Sequence, residues 1–61
     1  MNNIDLRTLD GDRHVTYQGQ TIKVFSKYDD YAFTNAKEYA DKLKMMSKEE
    51  FKNLYPEFFL W

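Results

Sequence analysis

Apolar side chains fall on every second position at Ile4 and Leu6, and again at Val15 and Tyr17, with Asp10-Gly11 between the two runs. A period of two marks a half-buried strand, and Asp-Gly between such runs favours a two-residue hairpin loop of type I′. With Asp10 and Gly11 as the loop, Leu9 faces Asp12, Leu6 faces Val15 and Ile4 faces Tyr17. Apolar residues then meet apolar residues across the pair. A second turn lies in "YQGQTI", where the loop is either Gln18-Gly19 or Gly19-Gln20. The first choice pairs Tyr17 with Gln20 and Arg13 with Val24; the second pairs Tyr17 with Ile22 and Val15 with Val24. Hydrophobic matching selects Gly19-Gln20 as a type II′ loop. The predicted meander therefore gathers Ile4, Leu6, Val15, Tyr17, Ile22 and Val24 on one face.

Beyond the strands the period changes. In "TNAKEYADKLKMM", Ala36, Tyr39, Ala40, Leu43 and Met46 recur at helical spacing, with charged residues between them. This predicts a helix from about Asn35 to Met46, capped by Thr34, whose two alanines allow close approach to the sheet. Ser47, with Glu50 three residues on and Met46 placed to staple against Phe51, signals a second helix start. Pro56 disfavours a helical Tyr55 and limits that helix to about two turns. In the connection "SKYDDYAF", Tyr28, Tyr31 and Phe33 are expected to fold over the open end of the core. The predicted fold is α+β: a three-stranded antiparallel β-meander packed on one face by an α-helix, followed by a short second helix and an aromatic C-terminal tail, in the order βββαα. Residues 1–61 form a single small globular domain.

Length makes this economical core necessary. At 61 residues, with no cysteine and one histidine, the chain has neither disulfides nor a Cys/His zinc site to stabilise it. Its 18% aromatic content supplies large buried areas instead. Nine basic and ten acidic residues give a net charge of −1, so no strong polyanion-binding field is indicated. The start "MNNIDLRTLD" lacks the basic and then apolar build of a signal peptide, and no apolar run reaches membrane-spanning length. A cytoplasmic protein with no membrane partner is expected.

Candidate chemistry is sparse. His14 is a candidate general base or pH switch by residue type, but no motif places a Ser or Cys nucleophile beside it, and the predicted register puts it on the solvent face between Arg7 and Phe25. Asp29-Asp30, Glu49-Glu50 and the "DGD" of Asp10 to Asp12 lack the spacing of calcium loops or of a glycosidase pair. These acids suit turns and helix starts. Gly11 and Gly19 are used in turns, so no phosphate-binding glycine loop remains. The expectation is a protein with no catalytic residues, no cofactor and no metal.

The predicted solvent face of the meander collects Asp5, Arg7, His14, Thr16, Gln18, Thr21, Lys23, Phe25 and Lys27. Arg7, Lys23 and Lys27 on phosphates and Gln18, Thr16 or Phe25 on bases, with His14 on the same face, would make a nucleic-acid-binding sheet face. Three strands followed by "YAFTNAKEYADKL", Tyr31 to Leu43, resemble the small arm-DNA-binding domain of tyrosine recombinases. That resemblance implies DNA binding, although the chain lacks the basic balance such a role implies. Nucleic-acid binding is thus the alternative function.

The remaining signal is aromatic excess. The sheet face, the first helix, Phe51 and Leu54 already form a core, yet "YPEFFLW" adds Phe58, Phe59, Leu60 and Trp61. Pro56 and Glu57 can restart a short turn that plugs one ring into the sheet–helix seam. Alternation of Phe58/Leu60 with Phe59/Trp61 leaves one set over, and exposed aromatics commonly anchor protein interfaces. The leading expectation is non-catalytic binding to another protein, a host target or a second copy, through Phe58, Phe59 and Trp61 with Tyr28 and Tyr31. In size alone the chain resembles small inhibitors and regulators encoded by phages and mobile elements.

Overall fold

A computed structural model describes residues 2–60; Met1 and Trp61 lie outside the described residues. Strand β1 (Ile4–Leu9) pairs with β2 (Asp12–Tyr17), and β2 pairs with β3 (Gln20–Phe25), in one antiparallel sheet of order β1-β2-β3. Helix α1 (Ala32–Met45), helix α2 (Lys48–Leu54) and a 3₁₀ turn (Pro56–Phe58) follow. The architecture is α+β in the predicted βββαα order.

The first hairpin has the predicted register, with Ile4 opposite Tyr17, Leu6 opposite Val15 and Leu9 opposite Asp12. Asp10 and Gly11 have φ of 53° and 86°, the paired left-handed conformation of a type I′ loop. The second hairpin corrects the prediction. Gln18 (φ 51°) and Gly19 (φ 81°) form the loop, and Tyr17 pairs with Gln20. A type I′ loop matches the strand twist and needs positive φ at both positions, which Gly19 takes freely and Gln18 at modest cost.

Cross-strand apolar pairing is not recovered, and a bulge instead decides which apolar residues of β3 face the helix. The register shifts between Val15 and Thr16, so Val15 lies opposite Lys23, His14 opposite Val24 and Arg13 opposite Phe25. The extra residue, Ile22, is a β-bulge, and past it the faces of β3 exchange. Phe25 turns toward α1 and packs edge-to-face on Tyr39 with ring centroids 6.0 Å apart. Val24, predicted inside, stands 47% exposed on the open face. Phenylalanine buries more apolar area than valine, so the exchange favours the core.

Helix α1 also starts three residues before the predicted Asn35. Thr34 is not its cap; Tyr31 holds that position without a side-chain cap bond. The entry is organised by Asp29, whose Oδ1 accepts the Tyr31 amide (2.9 Å) and whose carbonyl accepts the Ala32 amide (3.1 Å). The predicted helix face is otherwise in place, with Ala36, Ala40 and Leu43 fully buried and Tyr39 and Met46 packed at the margin. At the other end Asn2 donates from Nδ2 to the carbonyls of Leu43 (2.8 Å) and Met46 (3.1 Å), tying the start of β1 to the end of α1.

Ser47 caps α2 as predicted, its Oγ accepting the Glu50 amide and donating to Glu50 Oε1, each at 3.1 Å. Phe51 is fully buried, and Tyr55 leaves helical geometry before Pro56. Pro56 opens the 3₁₀ turn that returns the tail to the core.

Candidate functional site

The tail docks. Phe58 lies edge-on to Tyr17 (5.1 Å between centroids), while Phe59 lies 6.1 Å from Phe51 and 6.5 Å from Tyr17. Both phenylalanines are half-buried against the core, and Leu60 is exposed. The expected division into one docked and one exposed ring set therefore does not hold for Phe58 and Phe59, because the 3₁₀ turn rotates both rings onto the same cluster. Trp61, the third expected tail anchor, lies outside the described residues.

The exposed rings are elsewhere. Tyr28, Tyr31 and Phe33, expected to close the open end of the core, are 85%, 70% and 60% exposed. The cause is the early helix start. With α1 beginning at Ala32, Ala32 and Ala36 take the buried stripe at the helix entry, and Phe33 falls on its flank. Tyr28 and Tyr31 sit in a short connection held by main-chain bonds, with the Ser26 carbonyl accepting the Asp29 amide (3.0 Å) and Ser26 Oγ the Tyr28 amide (3.2 Å).

This connection packs beside the first hairpin. The Lys27 amide donates to Asp12 Oδ1 (2.8 Å), and the Lys27 side chain crosses Gly11 so closely that a Cβ there would lie 2.9 Å from Lys27 Cδ. Lys27 Nζ stands 5.4 Å from the Tyr28 ring centre, and the Arg13 guanidinium lies 4.1 Å above the Phe33 ring while donating to Thr8 Oγ1 (2.8 Å). One end of the molecule thus presents three rings, each fixed by a local contact or by the helix entry.

From Phe33 a groove of about 300 Å³ runs between β1 and α1, lined by Leu6, Arg13, Phe33, Lys37, Asp41 and Lys44. The helical residues share one stripe at spacings of four, four and three. Leu6, predicted in the core, is instead 38% exposed and lines this groove, while Ile4 two residues earlier on the same face of β1 is buried. A second, more polar depression of about 490 Å³ lies at the opposite end of the sheet, among Asn2, Asn3, Tyr17, Gln18, Lys48 and Phe59.

The residues expected to form a nucleic-acid face are dispersed. Arg7 and His14 stay together on the open face, where His14 Nδ1 is 3.1 Å from Thr21 Oγ1 and Val24 replaces Phe25 as neighbour. Thr16 is buried beneath its strand neighbours, its Oγ1 3.4 Å from the Asp5 carbonyl. Gln18 is in the loop, and Lys27 is over Gly11. Lys23 and Phe25 have crossed to the helix side, with Lys23 Nζ 5.8 Å from the Phe25 ring centre. The base-stacking ring of the sheet-face reading is thereby removed from that face.

Sequence reasoning missed Phe33, Leu6 and Arg13 as surface residues. The signal was present in Asp29: an aspartate two residues before Tyr31 is a turn former that starts the helix early and carries Phe33 outward. Among the described residues no cluster of His, Cys, Asp or Glu is placed to hold a metal ion, and no helix is long and apolar enough to cross a membrane. No protein-family model, no curated protein and no solved structure matches the chain.

Proposed function

We propose that the chain is a non-catalytic protein-binding module whose anchors are Tyr28, Tyr31 and Phe33, with Leu6 and Arg13 beside them, and that it acts by occupying a partner's surface. The observation carrying this reading is the contrast between two sets of rings. Tyr17, Phe51, Tyr55, Phe58 and Phe59 form one interlocked cluster, whereas Tyr28, Tyr31 and Phe33 remain in water. A domain this small has little stability to spare, and rings held out of its core by a structured connection and the first turn of α1 suit a partner's pocket. The Phe58 and Phe59 rings, committed to the core, drop out as primary anchors.

Aromatic rings beside Arg13 and Lys27 also suit single-stranded nucleic acid, the second reading. Charge weighs against it. The same end carries Asp10, Asp12, Asp29 and Asp30 against those two cations, a local excess of carboxylate that repels a phosphate backbone. The replacement Tyr28→Ser with Tyr31→Ser separates the possibilities when nuclease-treated lysate is passed over each form. Loss of a captured protein with folding intact supports the protein reading. Retention of every partner refutes it, and binding that needs nucleic acid and collapses with added salt transfers the function to the second reading.

A further inference from the structure

We propose that the free edge of β1, with the groove beside it, accepts an extended acidic segment of a partner protein as a fourth strand. This deepens the protein-binding reading and rests on it. The first hairpin closes at the Leu9–Asp12 pair, and hydrogen-bonded pairs alternate along an antiparallel ladder, so Asp5, Arg7 and Leu9 direct their main-chain groups to β2. Those of Ile4, Leu6 and Thr8 point away from the sheet. Among the described residues no main-chain bond from a turn, loop or cap reaches them.

The two sheet edges differ in protection. The β3 edge is broken by the bulge at Ile22, a device that discourages strand addition, whereas both edge strands carry charged residues. The β1 edge runs six residues in unbroken register, without proline or bulge. The residues whose main chains are free also direct their side chains toward α1. An added strand would therefore hold its main chain on Ile4, Leu6 and Thr8 and drop alternate side chains into the groove, the recognition mode of strand addition.

Charge selects the occupant. The groove combines Leu6 and the Phe33 ring with Arg13, Lys37 and Lys44, against a single carboxylate, Asp41. An apolar side chain over Leu6 flanked by carboxylates complements that lining. A second copy of the chain does not, because antiparallel pairing of two β1 edges about a two-fold axis normal to the sheet would set the cationic grooves of both copies side by side on one face.

The probe is a blocked peptide in which threonine alternates with glutamate, leucine and glutamate, titrated against the full chain by amide-resolved NMR. Its controls are the same peptide with lysine for glutamate and a version N-methylated on alternate amides. The proposal expects the amides of Ile4, Leu6 and Thr8 to shift and gain exchange protection, and the glutamate peptide to bind about tenfold tighter than the lysine one. Lys37→Glu with Lys44→Glu, both outside the core, should reverse that preference. Equal binding of the N-methylated peptide, absence of binding, indifference to charge, or concentration-dependent protection of the β1 edge without peptide each overturns it. If the strand site fails while Tyr28→Ser with Tyr31→Ser still abolishes partner capture, the protein-binding reading stands alone. If capture is indifferent to those tyrosines, the broader reading falls as well.

Discussion

Gln18 is the residue on which the second hairpin turns. It is a non-glycine residue at φ 51°, next to Gly19 at φ 81°, and asparagine tolerates that left-handed position better than glutamine does. Gln18→Asn is therefore expected to raise the unfolding free energy by a few tenths to about 1 kcal/mol in chemical denaturation, with m unchanged. No gain would argue for the Gly19-Gln20 loop that apolar pairing alone favours. Phe51 sits at the other extreme, fully buried against Tyr17 at 4.7 Å between centroids. Phe51→Ala should cost about 3–5 kcal/mol, enough to leave a domain of marginal stability largely unfolded by circular dichroism. Tyr55 adds a pH dependence. Burial raises the pKa of its hydroxyl, reinforced by the hydrogen bond with Tyr39. A tyrosine raised above its unfolded value of about 10 stabilises the fold fully below that pH and loses the contribution as pH climbs further. The melting difference between the natural chain and Tyr55→Phe should thus be constant near neutrality and shrink above about pH 10.

At the scale of elements, the tail is a structural member. Its 3₁₀ turn seats Phe58 and Phe59 on Tyr17 and Phe51, so removing residues 57–61 strips two half-buried rings from the cluster. We expect a loss of about 2–4 kcal/mol in denaturant titration, whereas Tyr28→Ser with Tyr31→Ser stays within about 0.5 kcal/mol of the parent. A tail deletion without effect on stability would place those rings back among the free anchors. What the sequence disclosed about the elements follows from how local each signal is. Asp10-Gly11, Ser47 with Glu50, and Pro56 act through neighbouring main-chain atoms, and their consequences stand in the structure as read. The bulge at Ile22 was hidden because Ile22, Val24 and Phe25 are all apolar, so alternation is satisfied on either face. Only packing against Tyr39 on a distant helix decides between them. The exposure of Phe33 was hidden for a related reason, since moving the helix start from Asn35 to Ala32 changes which residues lie under the helix at its entry.

At the scale of the molecule, α1 leaves the two margins of the sheet unlike each other. On the β3 side Phe25 and Tyr39 close the seam, while on the β1 side Leu6 lies open under a basic groove that ends at Phe33. The aromatic connection and the groove meet at Arg13 and Phe33, making one asymmetric surface from residues far apart in sequence. Under the proposed protein-binding role, stability and binding fall to different rings. Capture from nuclease-treated lysate, run in parallel on the intact chain and on Tyr28→Ser with Tyr31→Ser, tests that assignment most directly. The predicted result is a protein partner held by the intact chain and lost by the variant, whose melting temperature is unchanged. A partner retained in full by the variant, or no partner held by the intact chain, would contradict it.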